Sequence, residues 1–242
     1  MVLLPIAAIP QSATEPFFDY MPTDHEQLLD SMFFAKWSEL PGDDDNKYKC
    51  LTETDYREVA AELGVEVAAI KAVVDIETGN KHEGFWKPGK AIINFDLSIY
   101  RKFAPRRGVN LVSARKKYPL IFRGPNIKKY GSYQAAQYAR FDAALEINRT
   151  SAIESCFWGM FQIGGFNWKK CGCSSIDEFF TRVNSSEREQ LELFAVFCRE
   201  NNLIRFIKSK NWAAFSLRYN GPGYKKRGYD SKMAAAYRKY SK

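Results

Sequence analysis

Apolar residues recur at helical spacing along most of this chain. Leu63, Val67, Ile70 and Val74 follow one another at intervals of four, three and four, and Glu77 continues the series at three. That period places all five on one helix face. The stretch TETDYREVAAELG (52–64) predicts a helix with Thr54 as N-cap, a carboxylate in its first turn and Gly64 at its exit. VEVAAIKAVVDIETG (65–79) predicts the next, with Gly79 and Asn80 suited to a left-handed C-cap. Further helices are expected over 26–40, 134–147, 186–203, 211–221 and 231–240. The 186–203 helix has Ser185 or Ser186 as cap and Glu189 available for a capping box. Only 87–100 reads differently. There Ile93, Phe95 and Leu97 alternate with Asn94, Asp96 and Ser98, which suggests a short strand or extended segment. Residues 101–130 are rich in Lys, Arg, Pro and Gly and predict a basic, partly irregular excursion with one short helix. The fold class is therefore mainly α with at most a small β element. Residues 1–50 form an acidic extension with its own amphipathic helix, and 51–242 form the main domain.

Charge sharpens that division. The chain carries +8 overall, but residues 1–50 hold three Lys against nine Asp or Glu, a net of −6 that leaves +14 on the other 192 residues. A basic body suits a polyanion: nucleic acid, an anionic membrane or an anionic cell wall. No apolar run is long enough to cross a bilayer. Residues 1–9 are apolar but broken by Pro5, and fit either the remnant of a secretion signal or a plain N-terminal tail. The five cysteines are odd in number and scattered through apolar segments, as buried thiols are. The two histidines, His25 and His82, stand apart from any cysteine pair, which argues against a metal site.

Candidate chemistry begins with Glu77. A carboxylate on an apolar stripe loses water, and at a helix C-terminus it meets the negative end of the dipole. Both effects raise its pKa, as a general acid near neutral pH requires. The plainer alternative is a partly exposed glutamate at a frayed helix end. Asp75, two positions earlier, points nearly the opposite way. A second segment, ESCFWGMFQIGGFNW (154–168), sets Gln162 between Phe161 and Ile163, and offers Trp158, Phe161 and Trp168 as faces for sugar stacking. Taken alone, it reads more readily as packed core, with Gln162 holding a loop. The third, RYNGPGY (218–224), puts Tyr219 and Asn220 at a helix end, where they line a cleft or merely cap the helix.

In order, these segments are a Glu closing a helix, a Gly-Met-aromatic-Gln run and a Tyr-Asn-Gly. The chain resembles the lysozyme-like superfamily, and more closely the phage-endolysin-type N-acetylmuramidase domain family, from about Thr54 to Tyr240. LGVEVAAIKAVVDIE, INFD, SCFWGMFQIGGFNWKKCG and NWAAFSLRYNGPGY carry the resemblance. It implies a lysozyme-like helical fold with Glu77 as general acid and Gln162, Tyr219 and Asn220 lining a glycan cleft. Phe95, Trp158 and Met160 complete the expected substrate-binding set. Where the family has Phe-Glu-Arg-His, this chain reads Phe95-Asp96-Leu97-Ser98. A carboxylate is kept at Asp96, one methylene shorter, but the basic pair is gone.

The resulting expectation is a muramidase that cleaves the β-1,4 bond from N-acetylmuramic acid to N-acetylglucosamine, with no metal or organic cofactor. Asp96 is the candidate base, activating a water for inversion if the two carboxyls lie roughly 6.5–9.5 Å apart; otherwise it is a structural hydrogen-bonding group. Glu154 is the weaker candidate. The rivals are a lytic transglycosylase working with one Glu, a non-catalytic glycan-binding module and a nucleic-acid-binding protein. No nucleic-acid motif supports the last. Peptidoglycan strands are the expected partner, the default state is a monomer, and the substrate implies periplasmic or extracellular action.

Overall fold

The computed structural model describes residues 50–78 and 83–242. Helix α1 (Glu53–Leu63) starts at Thr52, which forms a reciprocal capping box with Asp55. The cap is thus Thr52 and not Thr54, because Asp55 stands at the third helical position from Thr52 and can bond back to it. Gly64, at φ 61°, ends the helix as expected. Helix α2 (Val67–Glu77) follows. Leu63 therefore belongs to a different helix from Glu77, and the stripe within α2 is Val67, Ile70, Val74 and Glu77. Ile70 and Val74 are fully buried. Thr78 closes α2, its N–H donating to the Val74 carbonyl at 2.9 Å and its hydroxyl to the same oxygen at 2.7 Å. The expected cap at Gly79 and Asn80 lies outside the described residues, as do the helix expected at 26–40 and the apolar start of the chain.

Strands β1 (Phe85–Lys87) and β2 (Lys90–Ala91) form a small antiparallel pair. Strand β3 (Ile93–Phe95) carries the predicted alternation, with Ile93 and Phe95 buried and Asn94 between them half-buried. The alternation stops there, contrary to expectation. Asp96 accepts the backbone N–H groups of Ser98 and Ile99, and so starts helix α3 (Leu97–Phe103). An Asp with two such partners is a strong N-cap, and that local bonding ends the strand. The basic excursion is also more helical than predicted. It contains α4 (Leu111–Lys117) and α5 (Ile127–Tyr130), begun by Asn110 and Asn126, with 3-10 turns at Ala104–Arg107 and Pro119–Phe122.

Helix α6 (Tyr133–Leu145) lies along β3. Gln134, Gln137 and Arg140 recur every third residue and share one face. Gln134 pairs with both the N–H and the carbonyl of Ile93 at 2.9 Å. Gln137 accepts from the Phe95 N–H at 3.3 Å, and Arg140 donates to the Phe95 carbonyl at 2.9 Å. Side chains thus complete the edge of a sheet that would otherwise leave backbone groups unpaired. After α7 (Arg149–Glu154), strands β4 (Cys156–Trp158) and β5 (Ile163–Gly164) finish the antiparallel sheet in the order β3-β4-β5. A 3-10 turn at Gly165–Cys171 leads to α8 (Ile176–Val183) and α9 (Glu187–Glu200). Ser186 caps α9, but the Glu189 side chain pairs with Arg182 at 2.6 Å, which takes it out of the expected capping box. The chain ends in α10 (Ile204–Lys208), α11 (Trp212–Asn220), α12 (Tyr224–Arg227) and α13 (Tyr229–Tyr240). Helix α13 packs along α2, where Lys239 pairs with Asp75 at 3.7 Å. Among the described residues no helix is long and apolar enough to cross a membrane.

Candidate active site

Glu77 is the last residue of α2 and Asn220 the last of α11. They meet: Asn220 Nδ2 donates to Glu77 Oε1 at 2.9 Å. Among the described residues no cation pairs with Glu77, and loss of water pushes its carboxyl up to about 8; the Asn220 bond pulls the other way and is outweighed. A neutral amide can bond to a carboxyl without forcing it to ionise, whereas a guanidinium would hold it charged. The residue is half-buried, so the group combines a raised pKa with partial access.

Tyr219 precedes Asn220 and is buried. Its hydroxyl donates to the Phe161 carbonyl at 3.0 Å. Burial pushes its phenol far up, and the neighbouring Glu77 charge adds to the effect. Phe161 belongs to the turn Gly159–Gln162 that joins β4 to β5. Gly159 (φ 68°) and Gln162 (φ 48°) are both left-handed. A glutamine in that region is strained by about 1 kcal/mol, and its two hydrogen bonds to the Gly159 carbonyl, from N at 3.1 Å and Nε2 at 2.9 Å, offset the strain. The fold therefore brings the three predicted segments together: the end of α2, the β4–β5 turn and the end of α11. Hydrogen bonds join Asn220 to Glu77 and Tyr219 to Phe161, the residue before Gln162, whose own bonds stay within its turn.

The aromatic part of the expected set is placed otherwise. Trp158 is 1% exposed, packs edge-to-face on Phe141 at 5.2 Å and Phe180 at 5.3 Å, and donates from Nε1 to the Ile153 carbonyl. Phe95 is 2% exposed under the Arg140 guanidinium. Phe161 stacks on Phe194 at 4.3 Å, and the Met160 side chain is buried. These side chains present no face to a sugar. Strand β4 is the middle strand of its sheet and is buried throughout, so its aromatics are core that supports the site. Trp168 is half-buried, with Lys169 over its ring at 5.1 Å.

The two other carboxylates have partners of their own. Asp96, 8% exposed, takes three hydrogen bonds on Oδ1: from Ser98 N at 2.7 Å, Ser98 Oγ at 2.6 Å and Ile99 N at 2.9 Å. Oδ2 is left outside the cap. Glu154 is gripped on both oxygens by Arg107, through Nε at 3.1 Å and through Nη2. The hollow lined by Arg107, Asn110, Lys117, Tyr118 and Asn148 shares no residue with the Glu77 neighbourhood.

Sequence reasoning missed Glu187, which accepts the Gly84 N–H, and Gln190, which accepts the Met160 N–H of the β4–β5 turn. The signal that marked Glu77 would have found them: both interrupt the buried stripe of Leu191, Phe194 and Cys198 on α9. The expected basic surface is present in one stretch. Residues 101–130 contain ten Lys or Arg and no Asp or Glu, and among the described residues only Arg107 of the ten forms an ion pair.

Residues 66–241 match the family model of the N-acetylmuramidases (Muramidase). The chain is also similar to the crystal structure of a Burkholderia AP3 phage endolysin, at 35% identity and a TM-score of 0.66, over 81% of this chain and 72% of the endolysin. No curated protein matches.

Proposed function

This chain belongs to the N-acetylmuramidase family, and from that premise we propose that it hydrolyses peptidoglycan at the β-1,4 bond from N-acetylmuramic acid to N-acetylglucosamine, with Glu77 as general acid. The observation that carries this reading is the Glu77–Asn220 pair. A carboxyl with a pKa of about 8 holds its proton at neutral pH, where general acid catalysis supplies typically about 10²- to 10⁴-fold in rate. Asn220 donates to Oε1, so the acidic proton resides on Oε2, the oxygen left to face a glycosidic bond. Gln162 and Asn220 are the groups left to meet the glycan, and Tyr219, buried with its hydroxyl on the Phe161 carbonyl, sets Asn220 against the acid instead of lining the cleft. The catalytic domain is assigned to 51–242, since α1 contributes Val59, Ala60 and Leu63 to the common core. Action on peptidoglycan puts the working enzyme in the periplasm or outside the cell.

Asp96 is the proposed base, with Oδ1 anchored by the α3 cap and Oδ2 available to a water. A second reading is favoured by the same bonds: if capping is all that Asp96 does, Glu77 works alone and the enzyme is a lytic transglycosylase. Mass spectrometry of fragments released from purified peptidoglycan decides between them. Reducing N-acetylmuramic acid ends support the hydrolase, 1,6-anhydro ends the transglycosylase, and no fragments from several wall types would overturn both in favour of a glycan-binding module.

A further inference from the structure

Three backbone segments around the site meet at one buried amide that the chemistry above does not use. Gln190 of α9 is 2% exposed. Its Oε1 accepts the Met160 N–H at 2.8 Å, and its Nε2 donates to the Gly84 carbonyl at 3.1 Å and the Val183 carbonyl at 2.9 Å. Both donors of the amide and its oxygen are thereby committed. One turn earlier, Glu187 Oε1 accepts the Gly84 N–H at 3.0 Å, so α9 holds both backbone groups of Gly84, seven residues beyond Glu77. Ile92 closes the arrangement, donating to the Gly84 carbonyl at 3.0 Å and accepting from Gly159 N at 2.9 Å. Both glycines leave room for the amide: a Cβ would come within 2.4 Å of Gln190 Oε1 at Gly84 and within 2.6 Å at Gly159.

We propose that Gln190 is a positioning residue for the catalytic centre, setting the Gly159–Gln162 turn against the chain that follows Glu77 and, through that turn, holding Tyr219 and Asn220 at the Glu77 carboxyl. The connection is continuous. Gln190 fixes Met160; the next carbonyl, of Phe161, accepts the Tyr219 hydroxyl; the next residue after Tyr219, Asn220, donates to Glu77. The inference rests on the muramidase reading, in which these groups must stay in register with the glycan. Misplacing a catalytic group by about 1 Å is enough to cost about 100-fold in rate.

The test compares Gln190→Met and Gln190→Glu in the full chain, with turnover on purified peptidoglycan measured per folded molecule across pH. Gln190→Met keeps the length and removes all three bonds. Gln190→Glu keeps an acceptor for Met160 and at most one donor. Gln190→Met is expected to lose about 10- to 100-fold in turnover. Its alkaline limb moves to higher pH, because the loosened Asn220 bond no longer lowers the Glu77 pKa. Gln190→Glu keeps more of both properties. Wild-type turnover with an unmoved limb, in whichever variant folds, overturns the proposal even if the melting temperature falls, since Gln190 is then scaffold alone. Failure of the underlying reading is distinct: the wild-type protein releases no muramyl ends, or Glu77→Gln stays active, and the inference falls with it.

Discussion

Glu77 and Glu154 are each the last residue of a helix, α2 and α7, and they have opposite fates. Glu154 is the more buried at 2% exposure, yet both its oxygens are held by the Arg107 guanidinium. Glu77 is half-buried, and its hydrogen-bond partner among the described side chains is the neutral Asn220 amide, with no cation paired to it there. Both face the negative end of a helix, and the more deeply buried of the two is the one that is ion-paired, so neither dipole nor burial accounts for the difference. The partner does. A guanidinium balances a carboxylate and makes it a structural joint; an amide leaves the carboxyl free to keep a proton and hand it over.

The comparison breaks most sharply at Glu77→Gln. The glutamine keeps an oxygen for Asn220 but cannot donate a proton as an acid, and turnover on peptidoglycan should fall by about 10³-fold or more. A variant with full activity would remove Glu77 from its role. The same substitution should raise stability at neutral pH. In the folded protein Glu77 titrates near 8 against an ordinary 4.5, so the folded state binds the extra proton. Its contribution is full below about 4.5 and is lost as pH rises through 8. The melting temperature of Glu77→Gln should therefore pull ahead of wild type as pH climbs from 5 to about 8, a trend that thermal melts at several pH values would reveal.

Arg107→Ala is the mirror experiment. It strands Glu154 in the interior and should destabilise the fold by about 3 kcal/mol, read by urea unfolding, while turnover per folded molecule stays unchanged. A large loss of turnover at constant stability would make Glu154 catalytic after all. Asp96 gives a smaller and finer contrast. Asp96→Ala removes the α3 cap and should cost about 1 kcal/mol. Asp96→Asn caps equally well, so a drop in its turnover isolates the carboxylate as base, and unimpaired turnover points to the single-carboxylate mechanism. The smallest effect is on pH: Asn220→Ala should shift the alkaline limb of the profile upward, because the bond it removes lowers the Glu77 pKa. A limb that stays put or moves down would mean that Asn220 does not act on Glu77.

Much of this was legible along the chain. The 3-4 spacing of Val67, Ile70 and Val74 marks the buried face of α2, and Glu77 on that face marks the site. Gly64 and Gly221 end helices where expected. What misled was local competition. Thr52 and Thr54 are both possible caps until Asp55 bonds back to one of them, and the alternation through Ser98 looks extended until Asp96 caps a helix. The aromatic run misled for a different reason: Trp158 and Phe161 have the composition of a sugar platform and of a core alike, and only the central position of β4 assigns Trp158 to the core and only the stacking on Phe194 assigns Phe161 to it.

The sequence by itself determined the helical periods, most of the helix ends, the basic excursion and the order of the three motifs, because these depend on residues within a turn or two of one another. The tertiary structure decided which groups meet. Asn220 reaches Glu77 across 143 residues, Gln190 reaches Gly84 across 106, and Arg107 reaches Glu154 across 47. Desolvation and charge pairing are properties of the assembled neighbourhood, and the protonation of Glu77 follows from that neighbourhood, whereas its place on an apolar helix face follows from its own few neighbours in the chain.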